Sequence, residues 1–238
     1  MKEIPLDLKI ADILQKEIKE KYREGERLPS EASLCSRFKA SRYVVRKALS
    51  RLVQMGLINS RQGVGYFVAG KPLCIRYCLT PVCRYSDMVR EMGLIPGAKL
   101  LKKERHLPPK EVKDALELSE GEEVYKLEIL RYADGVPLAY SFTWLPTKFF
   151  EDFLNHTTPF FSLYEIMERV YGVRPLRMNS VLQAVFPTAK EALYLEISSG
   201  TPLLQISSVV KDEKYRRVEY TESKYRGDLC KVSIDFNQ

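Results

Sequence analysis

Two helix starts in close succession constrain the first third of the chain more than any other feature. In LPSEASLCSRFKASRYVVRKALSRLVQMG, Pro29-Ser30 opens one apolar-periodic segment and Ser41 opens the next. Proline suits the first turn of a helix, and serine is a favoured N-cap. Leu34 and Phe38 fall on the inward face of the first segment. Val45, Ala48, Leu49 and Leu52 fall on that of the second, which Gly56 ends. With Lys39-Ala40 between them, the spacing predicts two short helices joined by a tight turn. Upstream, Ile10, Ile13, Leu14, Ile18 and Tyr22 predict a helix over residues 6–22, stopped by Glu24-Gly25. Downstream, LINSRQGVGYFV predicts a β-hairpin that turns at Arg61-Gln62-Gly63, where Gly63 and Gly65 let the backbone approach a neighbour closely.

Charge follows this organisation. The chain of 238 residues carries a net +7. Residues 1–72 hold fifteen Lys and Arg against eight Asp and Glu, so the whole excess lies there, and the remainder is balanced. A basic module joined to a neutral one implies that the first part meets a polyanion. Arg42, Arg46 and Ser50 recur four residues apart on a face away from the apolar stripe. Taken singly, Arg42 and Arg46 read equally well as a solvated helix face. In the order helix, short helix, Ser-Arg helix, glycine hairpin, they predict a winged helix-turn-helix that binds double-stranded operator DNA, its last helix entering the major groove.

The run GERLPSEASLCSRFKASRYVVRKALSRLVQMGLINSRQGVGYFV resembles the DNA-binding domain of the GntR family of bacterial repressors across residues 6–69. The resemblance implies that Ser30 and Glu31 lie near DNA at the start of the middle helix. It places Ser41, Arg42, Tyr43 and Arg46 on the recognition helix, and Arg61, Gln62, Gly63 and Gly65 in the wing, with Gln62 and Gly63 at its tip. A guanidinium fits the guanine O6/N7 pair bidentately, so Arg42 and Arg46 are the expected base readers. Ala32 departs from the pattern, since several relatives carry arginine there.

Ala69-Gly70-Lys71-Pro72 marks a boundary between a DNA-binding domain (1–70) and a larger one (71–238). In the latter, strands are expected near 73–80, 98–107, 122–132, 138–145, 176–186, 203–211, 218–225 and 229–236. Helices are expected near 86–92, 109–116, 147–154, 162–171 and 189–195. Asp134-Gly135 and residues 211–215 signal hairpins. The fold class is therefore α+β, with a mainly antiparallel sheet in the second domain. No G-x-G-x-x-G or Walker sequence follows a strand, so no cofactor is expected. Cys35, Cys74, Cys78, Cys83 and Cys230 are odd in number and lack metal-ligand spacing. They are read as reduced thiols, with no metal site. No apolar run reaches membrane-spanning length, and the N-terminus alternates charged and apolar residues, so a cytoplasmic protein without membrane association is expected.

The motifs ILRYADGVPLAYSFTWLP and VEYTESKYRGD resemble the UTRA effector-binding domain of the HutC-type branch of that family, whose fold is similar to chorismate lyase. RQGVGYFV followed by RYSDMVREMG resembles the phosphonate-operon regulators of the PhnF type. The resemblance implies a small anionic effector: a phosphonate, a sugar phosphate or a carboxylate. Tyr85, Ser86, Arg131, Ser162 and Tyr164 match positions that hold the anion or offer hydroxyls, and Glu219 and Tyr225 match positions that bond the ligand's polar body. Ser141 stands where sugar-phosphate-sensing relatives often carry glutamate, and Ile129 where they carry a second arginine. One arginine neutralises less charge than two, which leaves a carboxylate or a zwitterion as open as a phosphate. Arg131 and Glu219 read alternatively as a surface ion pair, and Tyr164 and Tyr225 as core aromatics. The expected protein is a homodimeric repressor, not an enzyme, because no acid–base or nucleophile–base arrangement stands out. A lyase-like enzyme and a constitutive DNA-binding protein are the alternatives.

Overall fold

The computed structural model describes residues 4–70, 75–78, 80–81, 84–160 and 162–234, with Cys78 described by its backbone alone. Cys74, Cys83 and linker residues 71 and 72 lie outside these. The chain forms two compact units, residues 1–73 and 74–238.

The first unit is three helices and a hairpin. Helix α1 (Leu6–Lys21) buries Ile10, Leu14 and Ile18, whereas Ile13 lies to the side of this stripe and is 42% exposed. The helix ends before Gly25. That glycine, at φ +78, instead forms a turn whose N–H donates to the Val68 carbonyl at 3.0 Å, tying the end of α1 to the hairpin. Helix α2 (Glu31–Phe38) starts at Ser30, whose hydroxyl accepts the Ser33 N–H. Helix α3 (Arg42–Gln54) starts at Ser41, which accepts the Val44 N–H. Each cap satisfies one of the N–H groups that a helix start leaves without an internal partner. Strands β1 (Ile58–Arg61) and β2 (Gly65–Val68) pair antiparallel, with Arg61 opposite Gly65. Leu14, Leu34, Val45, Leu49, Leu52 and Ile58 close one apolar core between these elements.

The second unit is built on a six-stranded antiparallel sheet. In chain order its members are β4 (Pro96–His106), β5 (Val124–Ala133), β6 (Val136–Pro146), β7 (Leu176–Val185), β8 (Leu203–Lys211) and β9 (Arg217–Arg226). Across the sheet the order is β4-β5-β6-β9-β8-β7. A separate parallel pair joins β3 (Ile75–Cys78) to β10 (Cys230–Ser233). The β5–β6 turn has both Asp134 (φ +49) and Gly135 (φ +76) in the left-handed region, as a two-residue hairpin with strand-like twist requires. Side-chain alternation divides the sheet into two faces. Helix α6 (Leu163–Tyr171) covers one, packing on Tyr125, Leu127 and Ile129. Helices α5 (Lys110–Leu116) and α7 (Ala189–Leu195) cover the other, against Trp144 and Tyr220 and against Leu130 and Tyr140 respectively. Helix α4 (Tyr85–Glu91) precedes β4.

The helix expected over residues 147–154 is instead two 3₁₀ turns, Thr147–Phe149 and Phe153–His156. Phe150 and Phe153 are both fully buried. Phe150, at φ −139 and ψ 69, lies between the two turns, and Phe153 opens the second. Asp152, at φ +52, breaks any continuous helix between them.

Candidate functional site

In the first unit, three elements converge on one carboxylate. Glu31 opens α2, and its side chain accepts from Arg46 Nε at 2.9 and 3.1 Å. Arg42 Nε approaches it to 3.9 Å, and the hydroxyl of Tyr66 on β2 donates to it at 3.4 Å. The two arginines on α3 are thereby held beside each other while their outer surfaces remain exposed. Ser30, Ser41 and Tyr43 are also exposed, Tyr43 to 76%. Arg61, Gln62 and Gly63 form the exposed hairpin tip, and the Arg61 guanidinium rests 4.4 Å from the Phe67 ring centre. Gly65 is held for a different reason. Its φ is +134, and a Cβ there would lie 3.2 Å from Arg27 Nε. Arg27 Nη2 donates to the neighbouring Val64 carbonyl at 2.5 Å, so that side chain braces the turn from behind.

In the second unit, the strand period aligns Glu219, Thr221, Ser223 and Tyr225 on one face of β9. Arg131 lies on the same side of β5, beyond Ile129. These residues floor a cavity of about 480 Å³, its open mouth included, walled by the starts of α4 and α6 and by β3 and β7. Tyr85 and Ser86 come from α4, Ser162 and Tyr164 from the start of α6, Tyr77 from β3 and Arg177 from β7. Arg84 precedes α4 and pairs with Glu168. The Arg131 guanidinium sits 4.9 Å from the Tyr85 ring centre, and Tyr85 donates its hydroxyl proton to the Tyr132 carbonyl at 2.8 Å. Burial holds the Tyr85 phenol well above its ordinary pKa, against the opposing pull of Arg131, so at neutral pH it is a neutral wall.

Glu219 is the distinctive group. It is 2% exposed, and burial pushes its carboxyl up to about 7, although Tyr164, Arg131 and Arg177 all act to lower it. The buried Tyr164 phenol interacts with it electrostatically, while Oε2 is buried with no hydrogen-bond partner among the described residues. A buried acceptor left in this way is costly, and a ligand that brings a donor would relieve the cost. Its burial rules out the surface ion pair as a description of Arg131 and Glu219. Tyr225 is buried as a core aromatic would be, with its ring 4.9 Å from that of Tyr77, and it lines the cavity as well.

Seven of the eight expected ligand residues line this cavity, and Ser141 does not. It is on the correct sheet face but 1% exposed, and its hydroxyl shares a 2.8 Å hydrogen bond with that of Ser223. Ser223, one strand over, presents to the cavity in its place. The expectation of a single arginine also needs correction. Ile129 is core, as its side chain requires, but Arg84 and Arg177 bring two further guanidinium groups to the lining. Thr221 and Ser223 were visible in the alternation between Glu219 and Tyr225. Arg177 and Tyr77 carried no such signal, because elements distant in sequence bring them in.

The profile of bacterial regulatory proteins of the gntR family matches residues 6–68, and that of the UTRA domain matches residues 91–231. The "Probable transcriptional regulator PhnF" of Escherichia coli K12 is 32% identical over 231 residues, covering 95% of this chain and 93% of the relative. The "HTH-type transcriptional repressor NagR" of Bacillus subtilis is 28% identical over 226 residues, with 94% and 92% covered. The crystal structure of PhnF from Mycobacterium smegmatis superposes with a TM-score of 0.66 at 25% identity, covering 96% of this chain and 99% of that one.

Proposed function

The chain belongs to the GntR family of bacterial transcriptional regulators with a UTRA domain, and we propose that it is a homodimeric repressor released from operator DNA by a small organic anion. Arg42 and Arg46, held side by side on Glu31, are the base readers. A guanidinium presents two parallel donors to the O6 and N7 of guanine. The hairpin tip at Gln62 and Gly63 approaches the backbone or the minor groove, where residues without bulk allow close contact. Two copies related by a twofold axis place their α3 helices about one helical turn apart on a palindromic site.

The observation that carries the release is the cavity in the second unit, which sets three arginine side chains and a buried, under-bonded Glu219 around one space. Such a lining favours a ligand with an anionic group and, at the Glu219 end, a hydroxyl or ammonium donor. Phosphonates, sugar phosphates and hydroxy- or amino-carboxylates all meet this description. The ligand weakens DNA binding only as far as it prefers the form of the protein that does not fit the operator. A hundredfold preference corresponds to about 2.7 kcal/mol.

Fluorescence polarisation with a pool of palindromic duplexes tests both halves. The expected result is selection of one palindrome, followed by its release on addition of one member of a panel of small anions. Binding without sequence preference would overturn the assignment of Arg42 and Arg46. Selective binding that no anion reverses would overturn the assignment of the cavity.

A further inference from the structure

Arg177 reaches the cavity through an irregularity of its strand. β7 and β8 pair in register through Asn179 opposite Val209, and the next pair is Arg177 opposite Val210, which leaves Met178 as an extra residue. A bulge of this kind re-aims the side chains beside it. Here Met178 is left exposed, and Arg177 is turned to the cavity face that Val210 also occupies.

Three of its hydrogen bonds run to one short stretch of chain. The Arg177 N–H donates to the Pro81 carbonyl at 2.8 Å, Nη1 to the Thr80 carbonyl at 3.2 Å and Nη2 to the Tyr77 hydroxyl at 2.6 Å. Tyr77 belongs to β3, the first described strand of the second unit. β3 lies outside the six-stranded sheet and pairs over four residues with β10. Arg177 therefore ties the edge strand β7 to the segment through which the chain enters the second unit. The same guanidinium also acts on Glu219 and Tyr164 inside the cavity.

The hydrogen bonds to Tyr77 and Thr80 end on neutral oxygens. A phosphoryl or carboxylate oxyanion forms charge-assisted bonds about twice as strong, and a guanidinium can take such a group with two parallel N–H donors. We propose that Arg177 is a second anion-binding residue of the cavity, beside Arg131, and that its capture by the ligand's phosphoryl or carboxylate group releases Tyr77 and loosens β3. This rests on the reading of the cavity as an anion site. It adds to that reading a residue that senses the anion and a segment that responds. By linkage, whatever frees Arg177 from Tyr77 also strengthens anion binding.

The test uses the full chain, inorganic phosphate as probe, calorimetric titration for affinity, and amide hydrogen exchange of residues 75–81 for the response. In the unsubstituted protein, phosphate should raise exchange in this segment. Arg177→Gln should weaken phosphate binding by roughly tenfold, the scale of a lost charge-assisted bond, and leave the segment in fast exchange with or without phosphate. Tyr77→Phe removes the competing oxygen, so phosphate should bind about fivefold tighter, the scale of one hydrogen bond, and exchange should start high. Phosphate affinity unchanged in Arg177→Gln, or segment exchange unchanged on binding, overturns the proposal. Arg131→Gln separates the two layers. If it abolishes binding while Arg177→Gln does not, the anion site stands and the role of Arg177 falls. If the unsubstituted protein takes up no phosphate, both fall.

Discussion

Glu219 concentrates at one residue the conflict between fold and ligand site. Its carboxyl ordinarily titrates near 4.5, and burial raises it to about 7. Between these values the folded protein keeps a proton that the unfolded chain has released, so stability falls as pH rises from about 4.5 to about 7 and then levels off. The loss across that window is on the order of 3 kcal/mol, from the free energy of a pKa shift. Glu219→Gln, which cannot titrate, should lack this component. Urea denaturation at pH 5 and pH 8 should therefore show a larger drop in the unsubstituted protein than in the glutamine variant, and equal drops would refute the burial account. In the first unit, Arg46→Ala should cost about 1–3 kcal/mol at a single operator position and relax preference there. Polarisation against duplexes substituted one base pair at a time checks this, and uniform weakening across all of them would make Arg46 a phosphate contact instead. Arg42 and Arg46 were legible in the sequence because four-residue spacing puts them on one helix face. Glu31 as their shared partner was not, since that contact depends on how α2 and α3 pack. Ser141 shows the converse limit: a pleat fixes which face a side chain takes, but not whether a neighbouring strand will satisfy its hydroxyl first.

Among the elements, those with local chemical causes were the legible ones. Ser41 caps the helix it was expected to cap, Ser30, expected in the first turn of its helix, caps it instead, and Asp134-Gly135 made the turn that its residues favour. Gly135 sits at φ +76 with open space around a would-be Cβ, so Gly135→Ala brings backbone strain without a clash. The expected cost is about 1 kcal/mol, read as a lower denaturation midpoint with an unchanged slope. A neutral result would mean that the turn relaxes to another type. The elements that were misread depend on tertiary packing. Residues 147–154 have helical composition, but the non-helical backbone at Phe150 and the left-handed Asp152 divide them into two 3₁₀ turns, with both Phe150 and Phe153 in the core. Gly25 has the residue type of a helix terminator, yet its bond to Val68 gives it to the hairpin instead. The bulge at Met178 leaves no trace in composition or alternation, so in the sequence Arg177 looks like any other strand residue.

For the whole molecule, charge and cavity divide between the two units. The net +7 falls on the first unit's residues, and those of the second are balanced overall. Its arginine-lined cavity is thus a local concentration of positive charge in a neutral unit, suited to a small anion rather than to a duplex. If that division is functional, DNA affinity and ligand response should separate on substitution. The logarithm of operator affinity should fall with the logarithm of salt concentration at about −0.9 per phosphate neutralised. Arg131→Gln should leave that slope and the affinity unchanged, because its guanidinium faces the cavity, while removing release by an anion that frees the unsubstituted protein. Arg61→Ala should do the opposite, lowering the slope by about one contact while leaving the relative response to the anion intact. Both variants can be followed by polarisation on one labelled duplex across a salt series, with and without the anion. A lower slope in Arg131→Gln would mean that the second unit contributes charge to the DNA complex. The cavity arginines would then act in DNA binding itself, and the division of labour inferred from the charge distribution would be wrong.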